Sequence, residues 1–159
     1  MNREQMVLRE ESRRHAAYPD PLSPLAKAIR HGLPTDGLSG APWTVGIGHC
    51  GPEVHAGLVW TDAQIDTAFA IDGANADSEC RAAFPWYARL DPVRQAVVWA
   101  MCFQMGINRL RGFVKALAAM RDQRWPQAAG EMLDSTWAKQ TPDRARRMAR
   151  QLETGEWQG

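Results

Sequence analysis

Two carboxylates near the N-terminus are spaced for acid-assisted chemistry. Glu11 falls in the last turn of a helix predicted from Asn2 to about Arg14, and Asp20 lies nine residues later on the loop that follows. The negative end of a helix favours the protonated form of a carboxyl group, whereas a carboxylate on a wetter loop keeps its charge. One protonated and one ionised carboxyl group are what cleavage of a glycosidic bond requires. The chain has 18 acidic residues, so some pair at this spacing is close to inevitable, and spacing alone assigns nothing.

Other groupings of residues offer different chemistries. His49-Cys50 with His55 has the residue types of a zinc site, but Cys80 and Cys102 fall on separate predicted helices without the paired spacing of metal ligands. No metal and no cofactor are therefore expected. His49 has a better use as a charge partner. Asp72 follows Ile65 by seven residues on the apolar line of a predicted helix, and a carboxylate there needs a compensating group. A His49–Asp72 ion pair is expected. Cys50 or Cys102 beside a histidine would be a nucleophile, yet nothing local activates either thiol, and inert cysteine is the simpler reading. The basic run from Lys139 through Arg144, Arg146 and Arg147 to Arg150 reads as a solvated helix face. Arg144 sits early enough in that helix to turn inward and meet an acidic group.

These side chains need elements to hold them. Asn2 caps the first helix, and Tyr18-Pro19-Asp20-Pro21 stops it, because each proline disfavours helix in the residue before it. Residues 21–42 read as a long loop with one helical turn at Leu25–Arg30, and loops of that length tend to be functional. Trp43 to His49 alternates with period two, as a half-buried strand does, and its glycines mark a bend or a close approach. Thr61 and Gln64 form a capping box opening a helix to about Phe84. Its apolar line (Ile65, Phe69, Ala76, Cys80) is thin, so it is a half-exposed connector. Asp91-Pro92 caps a helix that is apolar nearly all round and ends at Gly106, the buried spine of a helical lobe. Shorter helices are predicted at 113–122 and 125–134, then a turn at 135–138. Thr141-Pro142 repeats the cap-then-proline device and opens a last helix to about Leu152, stopped near Gly155.

The predicted fold is α+β in one domain, 1–159. A sheet lobe at about 15–60 carries an inserted loop at 22–39, a connecting helix spans 61–84, and a helical lobe spans 85–157 with the first helix packed near it. A chain of 159 residues is long enough to build a core without staples. Nineteen Lys and Arg against 18 Asp and Glu leave a net charge of +1, which supplies no field for gripping nucleic acid. Three cysteines without paired spacing point to folding in a reducing compartment. The first twenty residues hold no apolar stretch of signal-peptide or membrane-span length, so no export signal is expected.

Five segments taken in order carry a resemblance. They are Leu8-Arg9-Glu10-Glu11, Tyr18-Pro19-Asp20, Trp43-Thr44-Val45-Gly46-Ile47-Gly48-His49, Phe103-Gln104-Met105-Gly106, and the run from Trp137 through Thr141-Pro142-Asp143-Arg144 to Arg147. Together they resemble the phage-type lysozymes, the endolysins of glycoside hydrolase family 24, from about Met6 to Trp157. The resemblance implies a lysozyme-like α+β fold with a small β-sheet lobe, a larger helical lobe and a peptidoglycan cleft between them. It implies inverting hydrolysis of the β-1,4 bond between N-acetylmuramic acid and N-acetylglucosamine. By resemblance Glu11 is the general acid, Asp20 the second carboxylate, and Thr44 helps place the attacking water. Arg144 matches an arginine that pairs with Glu11. Cys50, Phe103 and Gln104 match substrate-binding positions, and His49 and Asp72 match an ion pair. The partners implied are glycan strands of peptidoglycan, reached by a monomer that waits in the host cytoplasm until a holin opens the membrane.

The chain also departs from the pattern. The family places its threonine six residues after the catalytic aspartate, whereas Thr44 lies 24 after Asp20. Ser12 replaces a glycine common after the glutamate, and two polar substrate-contact positions appear as Ala116 and Glu131. The same residues also fit a virion-borne lysozyme, a non-catalytic wall-binding or structural protein on the same scaffold, and a lytic transglycosylase independent of Asp20.

Overall fold

Asn2 opens α1 (Arg3–Glu10) through a reciprocal box: its Oδ1 accepts the Gln5 N–H at 2.8 Å, and Gln5 Oε1 accepts the Asn2 N–H at 2.9 Å. The helix ends at Glu10, four residues short of the predicted Arg14. The Glu10 carbonyl, left without a helical partner, accepts from Arg144 Nη2 at 2.9 Å. Residues Arg14–Pro19 form a strand, β1, instead of the helix end. Long-range pairing thus overrides local helix propensity here. Glu11 consequently stands one residue beyond the helix, not in its last turn.

The computed structural model describes residues 1–159. By its internal contacts the chain divides into two compact units: Glu11–Asp72, and Met1–Glu10 together with Gly73–Gly159. The division falls inside the connecting helix, twelve residues after the predicted end of the sheet lobe at 60.

In the first unit, β1 pairs antiparallel with β2 (Trp43–Gly46), and β2 with β3 (His49–Cys50), in the order β1-β2-β3. The stretch Trp43–His49 is therefore a hairpin and not one strand. Gly46 and Gly48 take positive φ of 68° and 73° on either side of Ile47, which is the backbone that turns the chain and that glycine alone adopts cheaply. The other edge of β1 meets the segment before the connecting helix, with the Trp60 N–H on the His15 carbonyl at 2.8 Å. The predicted single turn in the insertion is a seven-residue helix, α2 (Pro24–Arg30), with the Ser23 hydroxyl capping the Ala26 N–H at 3.1 Å. Gly32 closes it at φ 63°, and the Leu33 N–H returns to the Ala28 carbonyl at 2.9 Å.

The connecting helix α3 (Asp62–Ala83) opens with the predicted box: the Thr61 N–H reaches Gln64 Oε1 at 2.8 Å, and the Gln64 N–H reaches Thr61 Oγ1 at 3.3 Å. Ile65, Ala76 and Cys80 are buried, and Phe69 is half-buried.

The second unit is helical. A short 3-10 turn at Tyr87–Arg89 precedes α4 (Pro92–Met105). The Asp91 carboxylate accepts the N–H groups of Val93 and Arg94 at 3.1 and 3.0 Å, and Gly106 ends the helix at φ 79°. Ala96 through Cys102 are all buried, as an all-round apolar helix demands. Met6 and Val7 of α1 are buried in this unit, where α1 packs on α4. Trp99 sends its indole N–H to the Gly73 carbonyl at 2.8 Å. A Cβ at residue 73 would lie 3.1 Å from the same ring, so glycine permits this close approach.

Five helices follow: α5 (Ile107–Leu110), α6 (Val114–Arg121), α7 (Trp125–Leu133), α8 (Thr136–Gln140) and α9 (Pro142–Thr154). The turn predicted at 135–138 is part of α8, because Ser135 Oγ caps the Ala138 N–H at 3.1 Å. The device predicted at Thr141 also differs. Its hydroxyl donates back to the Trp137 carbonyl at 3.0 Å and caps nothing in α9.

Candidate active site

Glu11 is placed by its neighbours in sequence. On one side Glu10 is gripped within the helical unit: Arg147 donates to both of its carboxylate oxygens at 2.6 and 2.7 Å, and Arg144 Nε lies 3.4 Å from Oε2. Arg144 is only 14% exposed. The basic run is therefore not simply a solvated face, because its inward edge holds the end of α1. On the other side Arg13 forks onto the first two turns of α3, with Nη1 on Asp62 at 2.6 Å and Nη2 on Asp66, and His15 Nε2 also meets Asp62 at 3.0 Å. Hydrogen bonds from His15 and then Arg13 hold the Asp62 carboxyl below the usual range.

Between these two anchors the Glu11 carboxyl lies over the β2–β3 turn. A Cβ on Gly48 would stand 3.8 Å from Glu11 Oε2. The hairpin glycine thus leaves an open, backbone-lined floor under the carboxyl group.

Thr44 and Cys50 are cross-strand partners, and Thr44 Oγ1 lies 3.0 Å from Cys50 Sγ. Thr44 also pairs with Tyr18 across β1 and β2. Burial first, and then the charge of Glu11, push the Tyr18 hydroxyl above its ordinary range. Tyr18 is a neighbour of the site to which the sequence assigns no role, although Tyr18-Pro19-Asp20 is one of the segments that carry the resemblance. Its position opposite Thr44 could be found only from strand register.

Asp20 comes directly after the last residue of β1, Pro19. Its Oδ1 accepts the Leu22 N–H at 2.7 Å, and its own N–H is shared between the carbonyls of Gly40 and Pro42 at 2.9 and 3.0 Å. Glu11, Tyr18, Asp20, Thr44 and Cys50 therefore belong to one three-stranded sheet and its connections. This arrangement offers two carboxyl groups and a hydroxyl suited to orient a small polar molecule.

His49 begins β3. Its Nδ1 stands 2.6 Å from Asp72 Oδ2, and its Nε2 stands 2.6 Å from Glu53 Oε1. Burial alone would lower the imidazole pKa, but the hydrogen bonds to Glu53 and Asp72 outweigh it and the net shift is upward. Glu53 is held low by the same bond. The ring also lies against Trp60, with centroids 5.1 Å apart. Glu53 is a partner that sequence reading did not name, although four residues after His49 it was within reach.

The remaining predicted residues lie in the helical unit. Phe103 and Gln104 are half-buried in the last turn of α4. The Phe103 ring meets Trp99 at 5.5 Å, and Gln104 Oε1 accepts the Trp137 indole N–H at 3.2 Å. Beyond them a cavity of about 620 Å³ is lined by Phe113, Lys115, Ala116, Glu131 and Trp137 among others. Ala116 and Glu131, the two departures noted in the sequence, thus face one space.

Residues 10–152 match the family described as phage lysozyme. The chain belongs to that family. The match takes in Glu11, Asp20 and Thr44 along with both units of the fold, and the α+β architecture agrees with it. Among curated proteins, the chain is similar to probable T4-type lysozyme 1 of Dictyostelium discoideum, with 41% identity over 69 residues. It is similar as well to probable T4-type lysozyme 2 of the same organism, at 39% over 69 residues. Each alignment covers 43% of this chain and 41% of the relative, so it spans about two-fifths of the curated proteins it matches. No helix of the family member described here is long and apolar enough to cross a membrane.

Proposed function

We propose that this chain is a muramidase that hydrolyses the β-1,4 bond between N-acetylmuramic acid and N-acetylglucosamine in peptidoglycan. The observation that carries the reading is Glu11 beside Gly48 of the hairpin, Thr44 paired with Tyr18 on the sheet and Asp20 directly after β1, inside a match to the phage lysozyme family. Glu11 is the general acid and delivers its proton to the glycosidic oxygen as the bond breaks. Asp20, ionised, takes a proton from a water that attacks the anomeric carbon from the opposite face. Thr44 accepts or donates a hydrogen bond that holds this water in line. A water between the carboxyl groups calls for a separation of roughly 6.5–9.5 Å and gives inversion. Arg144 is the counter-ion of Glu11 once the proton has left, and Cys50, Phe103 and Gln104 contact the glycan. The biological setting that goes with this chemistry is lysis of a bacterial host by a phage enzyme that reaches the wall through a membrane lesion.

Digestion of purified sacculi tests this. Wild-type protein is expected to release reducing ends, and Glu11→Gln and Asp20→Asn are expected to release almost none while keeping the native circular dichroism. Anhydromuropeptides in place of reducing ends would replace hydrolysis by transglycosylation. Binding to sacculi without any product would leave only a wall-binding scaffold.

A further inference from the structure

Asp20 stands at the closed neck of the inserted segment, and both sides of the neck fasten on it. Its N–H donates to the carbonyls of Gly40 and Pro42, and its carbonyl accepts the Ser23 N–H at 2.9 Å. Its side-chain Oδ1 accepts the Leu22 N–H at 2.7 Å. Further along, the Leu25 N–H bonds the Ser39 carbonyl at 3.1 Å, and Arg30 at the end of α2 sends Nη1 back to the Pro21 carbonyl at 2.8 Å. Gly40 is buried where these pieces meet. A Cβ there would lie 2.6 Å from the Trp43 ring, 2.8 Å from Pro19 Cβ and 3.0 Å from Leu25 Cδ2. Two of those are distances real Cβ atoms do not tolerate, so the end of β1, the start of β2 and α2 are pressed together around the absent side chain.

We infer that residues 21–42 are a positioning element for the Asp20 carboxylate, with Gly40 and Arg30 as the residues that hold its neck. This rests on the reading of Asp20 as the carboxylate that activates water. An aspartate on an unbraced loop spreads over several rotamers, whereas one oxygen fixed by the Leu22 N–H sets the direction of the other. The Leu22 N–H is in turn fixed because the Pro21 carbonyl is tied to Arg30 and the Ser23 N–H to Asp20 itself. Neither Gly40 nor Arg30 is a catalytic residue. Both act through Leu22 and the backbone of Asp20.

The test is steady-state hydrolysis of solubilised glycan strands by the full chain. Gly40→Ala is expected to lower kcat about 10- to 100-fold, the scale set by small misplacements of a reacting group, with KM within about twofold. Arg30 is exposed, so Arg30→Met should fold normally. It is expected to lower kcat by about threefold, and Arg30→Lys should restore most of the loss, because a lysine can still reach the Pro21 carbonyl. Should Gly40→Ala fail to fold, the Arg30 pair decides. Wild-type kcat in Arg30→Met, or a loss confined to KM, overturns the inference. Failure of the reading beneath it looks different: either wild-type protein releases no product, or Asp20→Asn works at the wild-type rate.

Discussion

Glu11 owes its setting to its neighbours rather than to its helix. Glu10 is clamped by Arg144 and Arg147, Arg13 by Asp62 and Asp66, and the carboxyl between them overlies a residue without a side chain. Replacing it by Gln keeps the shape and removes the proton, so Glu11→Gln should cut turnover by about 10²–10⁴-fold with an unchanged melting temperature. Tyr18→Phe should cost less. It removes only the hydroxyl of the residue paired with Thr44 and keeps the ring, a change of roughly 1 kcal/mol or about fivefold in rate, and kcat measured beside the wild type checks it. His49 belongs to stability rather than to turnover. Its pKa is raised on folding, so its contribution is full below the unfolded value of about 6.5 and fades as pH climbs through the folded one. Glu53 is lowered on folding, so its share is present above about pH 4.3 and is lost as pH falls through its folded value. The clasp is strongest between those limits. Urea unfolding should show Asp72→Asn costing about 1–3 kcal/mol near pH 5.5 and clearly less near pH 9. An equal cost at both would remove the charge from the explanation.

Elements whose ends are written locally were legible, and those decided by distant partners were not. Asn2, Thr61 with Gln64, and Asp91-Pro92 marked three helix starts in the sequence, because each cap is made within four residues of chain. The end of α1 was misplaced because the stop comes from Arg144, more than a hundred residues away, and from pairing with β2. Thr141-Pro142 has the same local pattern as Asp91-Pro92 but a different structure, since α8 offers its hydroxyl a carbonyl to bond. The two should separate in thermal unfolding: Asp91→Ala is expected to destabilise by about 1–2 kcal/mol, and Thr141→Ala by about half that or less. The hairpin at Gly46 and Gly48 was read as one strand because period-two alternation continues through a two-residue turn, even though the glycines already marked a bend.

For the whole molecule, α4 explains why the architecture could be read at all. A run apolar on every side has to be covered, and α1, α3 and α9 supply side chains that do so within one unit. The division of the chain inside α3, after Asp72, left no mark in the sequence, because an unbroken helix carries no punctuation where packing changes. Candidate site residues were legible as types and order: Glu11, Asp20 and Thr44 stand on the sheet and its connections, but Tyr18 and Glu53 emerged only once register and side-chain reach were known. The helical turn in the insertion was legible at Leu25–Arg30, and the structure extends it by one residue to Pro24, where the Ser23 hydroxyl caps it. In the proposed reaction an acid and a base act across one water. Proton NMR of the anomeric signals, followed from the first seconds of digestion of a soluble glycan fragment, tests that most directly. The α-anomer at the new N-acetylmuramic acid end is expected to appear first and then mutarotate. Initial appearance of the β-anomer, or of a 1,6-anhydro product, would contradict it.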